Sequence, residues 1–252
     1  MIPVYDQNPT SKPAVVTKWL ITLNISIHFI RWLGGDAGLR LTESWSFIPA
    51  ELSQTPAAGL LHAFTALFLH ADIFHLITNM IFLHVFGDNI EDILGKRRYL
   101  VFYLLSGLGA TLTHYWMDPH STLPLIGASG AIAGILAGYL VVYPRAPVVV
   151  INPVFLLWFI FGPLLLLPAW LVIGLFFITN ISSSLMVLGG AISQTAFLAH
   201  VGGFLTGLLL IRPMIHGKAI HPAMVWTTWK APKARRRPIF PKNSKKPFWK
   251  DS

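Results

Sequence analysis

Apolar residues run along this chain in long blocks divided by short polar clusters. Six blocks approach the roughly 20 apolar residues that carry a helix across a bilayer: 15–34, 73–91, 98–117, 128–143, 165–182 and 196–213. The first is the weakest, with Lys18, His28 and Arg31 near its ends, where long side chains reach the headgroups. Between the first two blocks, residues 35–72 hold Trp45, Phe47, Leu60, Leu61 and Phe64 among polar residues. That is too apolar for a simple linker and predicts a segment lying in the membrane interface. The run 148–181 is longer than one span needs and is interrupted by Pro153, Gly162-Pro163 and Pro168. Because proline breaks a helix at the preceding turn, a surface-lying or re-entrant stretch to about 164 followed by one span is expected rather than two crossings.

Composition agrees with this reading. The 252 residues are 54% hydrophobic and only 12% charged, with a mean hydropathy of +0.61. Soluble domains carry about 25% charged residues. The expected fold class is an all-α membrane protein, a six-transmembrane-helix bundle. It divides into a cytoplasmic N-terminal segment (1–14), the membrane domain (15–213) and a basic tail (214–252). The start of the chain lacks the pattern of a cleaved secretory signal, so the first span is expected to persist. With no cysteine, disulfides, thiolate metal sites and a cysteine nucleophile are excluded.

Charge sets the orientation. With six spans, Lys96, Arg97, Arg98, Arg145 and the tail from Lys218 to Lys250 share one face, leaving Arg31 and Arg40 for the other. The positive-inside rule places both termini in the cytoplasm. The tail suits orientation and contact with anionic headgroups, and no nucleic-acid partner is expected. The run Asp88 to Asp92, followed by Lys96 to Arg98, reads as a salt-bridged cytoplasmic turn.

Under this topology the second, fourth and sixth spans all begin at the outer face, and each delivers a polar group to one layer. His75 and Asn79, four residues apart, share a helical face. Ser129 opens the fourth span and His200 lies near the start of the sixth. Intramembrane polar groups are costly and tend to be functional. Gly130, Gly134 and Gly138 repeat every four residues, as do Ala199, Gly203 and Gly207, which predicts small-xxx-small packing of these two spans. That packing would bring the Ser129 hydroxyl to His200, and serine requires such an adjacent base to act as a nucleophile. Asp36, Glu43, Glu51, Asp72 and Asp118 lie in outer loops or at the membrane edge and none of them falls within a span, so a dyad is expected rather than a triad. His75, Asn79 and the Ser129 backbone N–H, exposed at a helix start, can serve as oxyanion donors.

These residues resemble the rhomboid intramembrane serine proteases, from about Phe64 to Leu210. The resemblance is carried by His75-Leu76-Ile77-Thr78-Asn79, by Val85-Phe86-Gly87-Asp88-Asn89-Ile90-Glu91-Asp92, by Gly127-Ala128-Ser129-Gly130, and by Ala199-His200 followed by Gly203 and Gly207. It implies a six-helix bundle with Ser129 as nucleophile, His200 as base, and His75, Asn79 and the Ser129 N–H as the oxyanion site. It also implies a substrate, the transmembrane helix of another protein entering sideways, and a preference for helices weakened by Gly or Pro. Two positions depart from the family. Leu61-His62 stands where many members have Trp-Arg. Ala133 stands where some have an aromatic that packs on the catalytic histidine.

Neither cofactor nor metal is expected; His84 and His114 have no helical i,i+4 relation to His75. His70 and Asp72 read as an interfacial cap or loop contact, and Asn180 as a cap or a lining of the substrate entrance. A transporter would need a polar path across the membrane, whereas the polar residues here cluster in the outer half. A catalytically silent relative would ordinarily lack the serine or the histidine. The expected location is a bacterial-type plasma membrane.

Overall fold

The computed structural model describes residues 2–155, 158–186 and 191–216. Helices dominate: α1 (Val15–Leu33), α2 (Gly35–Trp45), α3 (Pro49–Gln54), α4 (Pro56–Thr65), α5 (Ile73–Leu94), α6 (Lys96–Met117), α7 (Ser129–Val142), α8 (Trp158–Phe161), α9 (Ala169–Met186) and α10 (Ala191–Ile215). A 3-10 turn, Ala66–Phe68, follows α4. Each of the six apolar blocks contains a helix, and α5 and α10 hold stretches long and apolar enough to cross a bilayer. The core lies among α5, α6, α7 and α10, where Phe86, Phe102, Tyr99, Tyr103 and Tyr139 are fully buried.

The predominantly helical structure fits the expected all-α membrane fold, and to it is added a small three-stranded antiparallel sheet of β1 (Pro3–Asp6), β2 (Pro147–Ile151) and β3 (Leu164–Pro168) in the order β1-β2-β3. The stretch expected to lie on the surface or re-enter is thus a hairpin, with Pro147 opposite Pro168 and Ile151 opposite Leu164. The β-branched run Val148-Val149-Val150-Ile151 favours a strand. Proline at the first residue of β2 and the last of β3 removes a donor only where the ladder ends. The N-terminal segment is drawn into the same sheet: Pro3 pairs with Val150 and Asp6 with Val148.

Asp6 then reaches two helices, accepting hydrogen bonds from Asn89 Nδ2 at 2.9 Å and from the Tyr139 hydroxyl. Burial raises its carboxyl to about 7, against the lowering effect of the Tyr139 bond. The acids of the Asp88 to Asp92 run, expected to form a salt-bridged turn, have other partners. Buried Glu91 accepts from the backbone N–H groups of Val15, Val16 and Thr17 at 2.8–2.9 Å and from the Thr17 hydroxyl at 2.8 Å. It therefore supplies the N-terminal cap that α1, entered from Ala14, has no side chain of its own to make. Asp92 accepts from Ser11 N–H and Oγ, and Arg98 donates to the Met214 carbonyl at 2.7 Å.

At the other end of the bundle, residues 35–72 form α2 to α4 and the 3-10 turn. Phe47, Ala63 and Ala66 make a small core there with Leu108, Tyr115 and Leu125. Leu39, Leu41, Trp45, Leu60, Leu61 and Phe64 remain exposed, as an interfacial segment requires. His28 is buried rather than extended to the headgroups. The cationic tail from Lys218 onward lies outside the described residues.

Candidate active site

The serine is placed by a turn and a short helix. Gly127 has φ +123°, a conformation that L side chains rarely adopt. A Cβ there would lie 2.8 Å from Cε1 and 2.9 Å from Nε2 of His75. Glycine thus lets the chain lie directly on the His75 imidazole. The Gly127 N–H is held by the Ala66 carbonyl at 2.8 Å, and two residues later Ser129 opens α7 with a backbone N–H that has no acceptor within its own helix.

The histidine arrives because α7 and α10 touch backbone to backbone. A Cβ on Gly203 would collide with the Gly130 carbonyl, and one on Gly207 with the Gly134 carbonyl. Gly130 and Gly134 also admit α6, facing Ala110 and Ser106, while a Cβ on Gly138 would lie 3.3 Å from Ile211 and Phe102. At this spacing His200 Nε2 and Ser129 Oγ lie 2.7 Å apart, a hydrogen bond. The other ring nitrogen, Nδ1, is buried and has no hydrogen-bond partner among the described residues.

Ser129, His200, His75 and Asn79 line one cavity of about 360 Å³, walled on its apolar side by Phe82 and Phe176. Asn79 is 7% exposed, and its Nδ2 donor has no partner among the described residues. A buried, unbonded amide costs about 1–3 kcal/mol. Here it faces a space in which an oxygen could be received.

The neighbouring loop has structural duties. Asp72 caps α5 by accepting from the His75 N–H at 2.8 Å, and that bond holds its carboxyl below the usual range. His70 is buried with its ring centroid 5.2 Å from that of His75. Burial, then the adjacent His75 and His28, push its imidazole down to about 3, so it stays neutral.

The two family departures have local answers. His62 faces Glu51 at 3.8 Å, while the outer segment is fastened through the Phe47–Leu125 backbone pair at 2.8 and 3.1 Å, Ala50 N–H to the Ser121 carbonyl at 3.0 Å, and Thr65 Oγ1 to the Trp45 carbonyl at 2.7 Å. Ala133 is fully buried and presents only a methyl. The ring beside His200 instead comes from α9: Phe176, with centroids 6.1 Å apart and planes at 49°. Sequence reasoning missed it, since a phenylalanine in an apolar block carries no signal. It also missed Gly109 and Gly202, where α6 meets α10. The Asn180 side chain lies outside the described residues.

Comparison with known proteins adds the family context. A family model described as Rhomboid domain matches residues 57–217, more than half of the chain. Rhomboid-like protein 11, chloroplastic, of Arabidopsis thaliana is 29% identical over 132 residues, covering 52% of this chain and 44% of that protein. RHOMBOID-like protein 2 of the same plant is 33% identical over 154 residues, or 59% and 42%. Inactive rhomboid protein 1 of Drosophila melanogaster is 36% identical over 73 residues, 29% of this chain and 5% of that protein. The chain therefore spans less than half the length of these relatives.

Proposed function

This chain belongs to the rhomboid family, and on that footing we propose that it is an intramembrane serine endopeptidase that cleaves transmembrane segments of other membrane proteins. The observation that carries the reading is the 2.7 Å contact between Ser129 Oγ and His200 Nε2, made in a cavity that also holds a buried, unpaired Asn79 donor.

The proposed chemistry uses only these groups. Ser129 Oγ attacks the scissile carbonyl carbon while His200 Nε2 accepts its proton. Negative charge moves to the carbonyl oxygen, which the Asn79 amide, the His75 ring and the Ser129 N–H receive. Collapse of the intermediate expels the amine, which takes the proton back from the imidazolium. Water, deprotonated by the same imidazole, then releases the acyl group and restores Ser129. Neither a metal nor a cofactor enters these steps.

The proposed setting is a six-span bundle with both termini in the cytoplasm of a bacterial-type plasma membrane. The 14 residues of α7 rise about 21 Å, against a hydrocarbon core of about 30 Å. With its C-terminal end near the inner interface, Ser129 would lie about 9 Å below the outer one. A shallow site of that kind suits a substrate helix weakened near its end. The N-terminal strand and the basic tail flank this domain, the tail against anionic headgroups.

A second reading, a silent binder of membrane clients, is raised by the similarity to a protein named as an inactive rhomboid. Reconstitution with a single-pass substrate decides between them. The parent should cleave, and Ser129→Ala and His200→Ala should not. Equal cleavage by parent and Ser129→Ala would end the protease reading, and client binding without cleavage by the parent would favour the second.

A further inference from the structure

We propose that Phe176 is the positioning residue for the His200 imidazole, a role taken over by α9 because α7 offers only Ala133. The proposal rests on His200 acting as the base. Its starting point is a deficit: Nδ1 has no hydrogen-bond partner, so the contact from Nε2 to Ser129 is the only polar restraint on the ring among the described residues. One hydrogen bond fixes a distance but leaves rotation of the ring about that bond open. Packing must limit the rotation.

Phe176 is placed to do so, and it is itself held from two sides. Its ring meets Phe82 of α5 at 4.9 Å and Phe177 at 5.3 Å. Phe177 in turn lies 4.7 Å from Phe204 of α10, the helix that carries His200. Phe82 stacks on Phe86, which meets Tyr139 of α7, the helix that carries Ser129, at 4.9 Å. The ring against His200 is thus tied through aromatic contacts to both helices of the dyad. Phe176 meets His200 and Phe82 with planes tilted at 49° and 51°, and the Phe177, Phe204 and Tyr139 contacts are edge-on, so each ring is held in a defined relative orientation as well as buried.

A competing role is that of a plug. Phe176 and Phe82 both wall the cavity, and a ring that only blocked entry would speed turnover when removed. The two roles predict opposite signs. Phe176→Leu retains an apolar side chain and loses the flat face, whereas Phe176→Tyr retains the face.

The test uses the full chain in proteoliposomes with a single-pass transmembrane substrate, together with labelling of Ser129 by a soluble fluorophosphonate, which needs no helix to enter. Phe176→Leu should lower kcat and labelling rate together, roughly ten- to a hundredfold, the scale of a misplaced catalytic group, and leave KM within about twofold. Phe176→Tyr should keep at least about half of the parent's kcat. Unchanged or increased turnover in Phe176→Leu, a change confined to KM, or a Tyr variant as poor as Leu would overturn the proposal. Nitrogen-15 histidine spectra of parent and Phe176→Leu provide a reading independent of activity. One sharp His200 ring signal should become broadened or multiple, and an unaltered signal overturns the proposal even if the parent proves inactive. A parent that neither cleaves nor labels would instead remove the protease reading.

Discussion

Asn79 presents a trade between folding and turnover that one substitution can expose. Its Nδ2 donor is buried, unbonded and beside the Ser129–His200 pair. In the resting fold such a donor costs about 1–3 kcal/mol. In the transition state an oxyanion donor is worth about 2.7–4 kcal/mol. Asn79→Ala should therefore lower kcat by about 10²- to 10³-fold with little change in KM, since the bond forms only as charge develops. Truncation also removes the van der Waals contacts of the carboxamide, a loss opposed by the relief from deleting an orphan donor. The variant should melt within a few degrees of the parent. The assay is substrate cleavage in proteoliposomes at varied substrate density, with thermal unfolding measured on the same preparation. A fall in melting temperature of more than about 8 °C with kcat within about threefold would refute the reasoning and make Asn79 a structural residue.

Three further outcomes follow from the packing and the caps. Gly203→Ala should lower kcat at least about tenfold by forcing α10 off the Gly130 carbonyl; Gly174→Ala, where nothing lies within 4 Å, is the tolerated control. Glu91→Ala should cost about 2–4 kcal/mol in unfolding measurements, because three N–H groups of α1, that of Thr17 buried and those of Val15 and Val16 half-buried, lose their acceptor; Glu91→Gln should recover part of this loss, and a neutral Glu91→Ala would contradict the capping role. The folded Asp6 carboxyl, near 7, binds its proton more tightly than an unfolded one near 3.8, so its strand should be held best below about pH 4 and progressively less as pH rises through 7. Amide protection at Val4 and Tyr5, expressed relative to the intrinsic exchange rate at each pH, should fall across that range, and Asp6→Asn should flatten the dependence.

The legible part of this molecule is the part where polarity contrasts with its surroundings. Ser129, His200, His75 and Asn79 stand out because each interrupts an apolar block, and the bounds of α5 and α6 are legible because charges stand at their ends, Asp72, Lys96 and Asp118. β2 and β3 were not legible. A run such as Val148 to Ile151 is as apolar as a span, and composition cannot separate a short buried strand from a helical segment. β1 was beyond reach for another reason, since its partner lies about 140 residues away and four residues carry no period. Glu91 was misread because sequence neighbours suggested cations, whereas its partners are backbone N–H groups, which leave no trace in side-chain identity. Phe176 fails the same test in reverse, being an apolar residue with a particular task inside an apolar block.

The two ends of the bundle use their polar groups differently. At the sheet end, Glu91 accepts four hydrogen bonds, Asp92 is bonded to Ser11, and Asp6 joins Asn89 to Tyr139. These contacts fasten the start of α1 and the ends of α5 and α7, so their ends cannot drift independently. At the serine end, Asn79 Nδ2 and His200 Nδ1 have no partners among the described residues. An orphan donor alone does not make a site: Ser106 Oγ is also unpaired, but it faces Gly134 in a closed seam between α6 and α7. What separates Asn79 and His200 from Ser106 is the cavity they share with Ser129. An unpaired group against packed atoms can only cost stability, whereas one facing open space can recover that cost when a reacting group arrives.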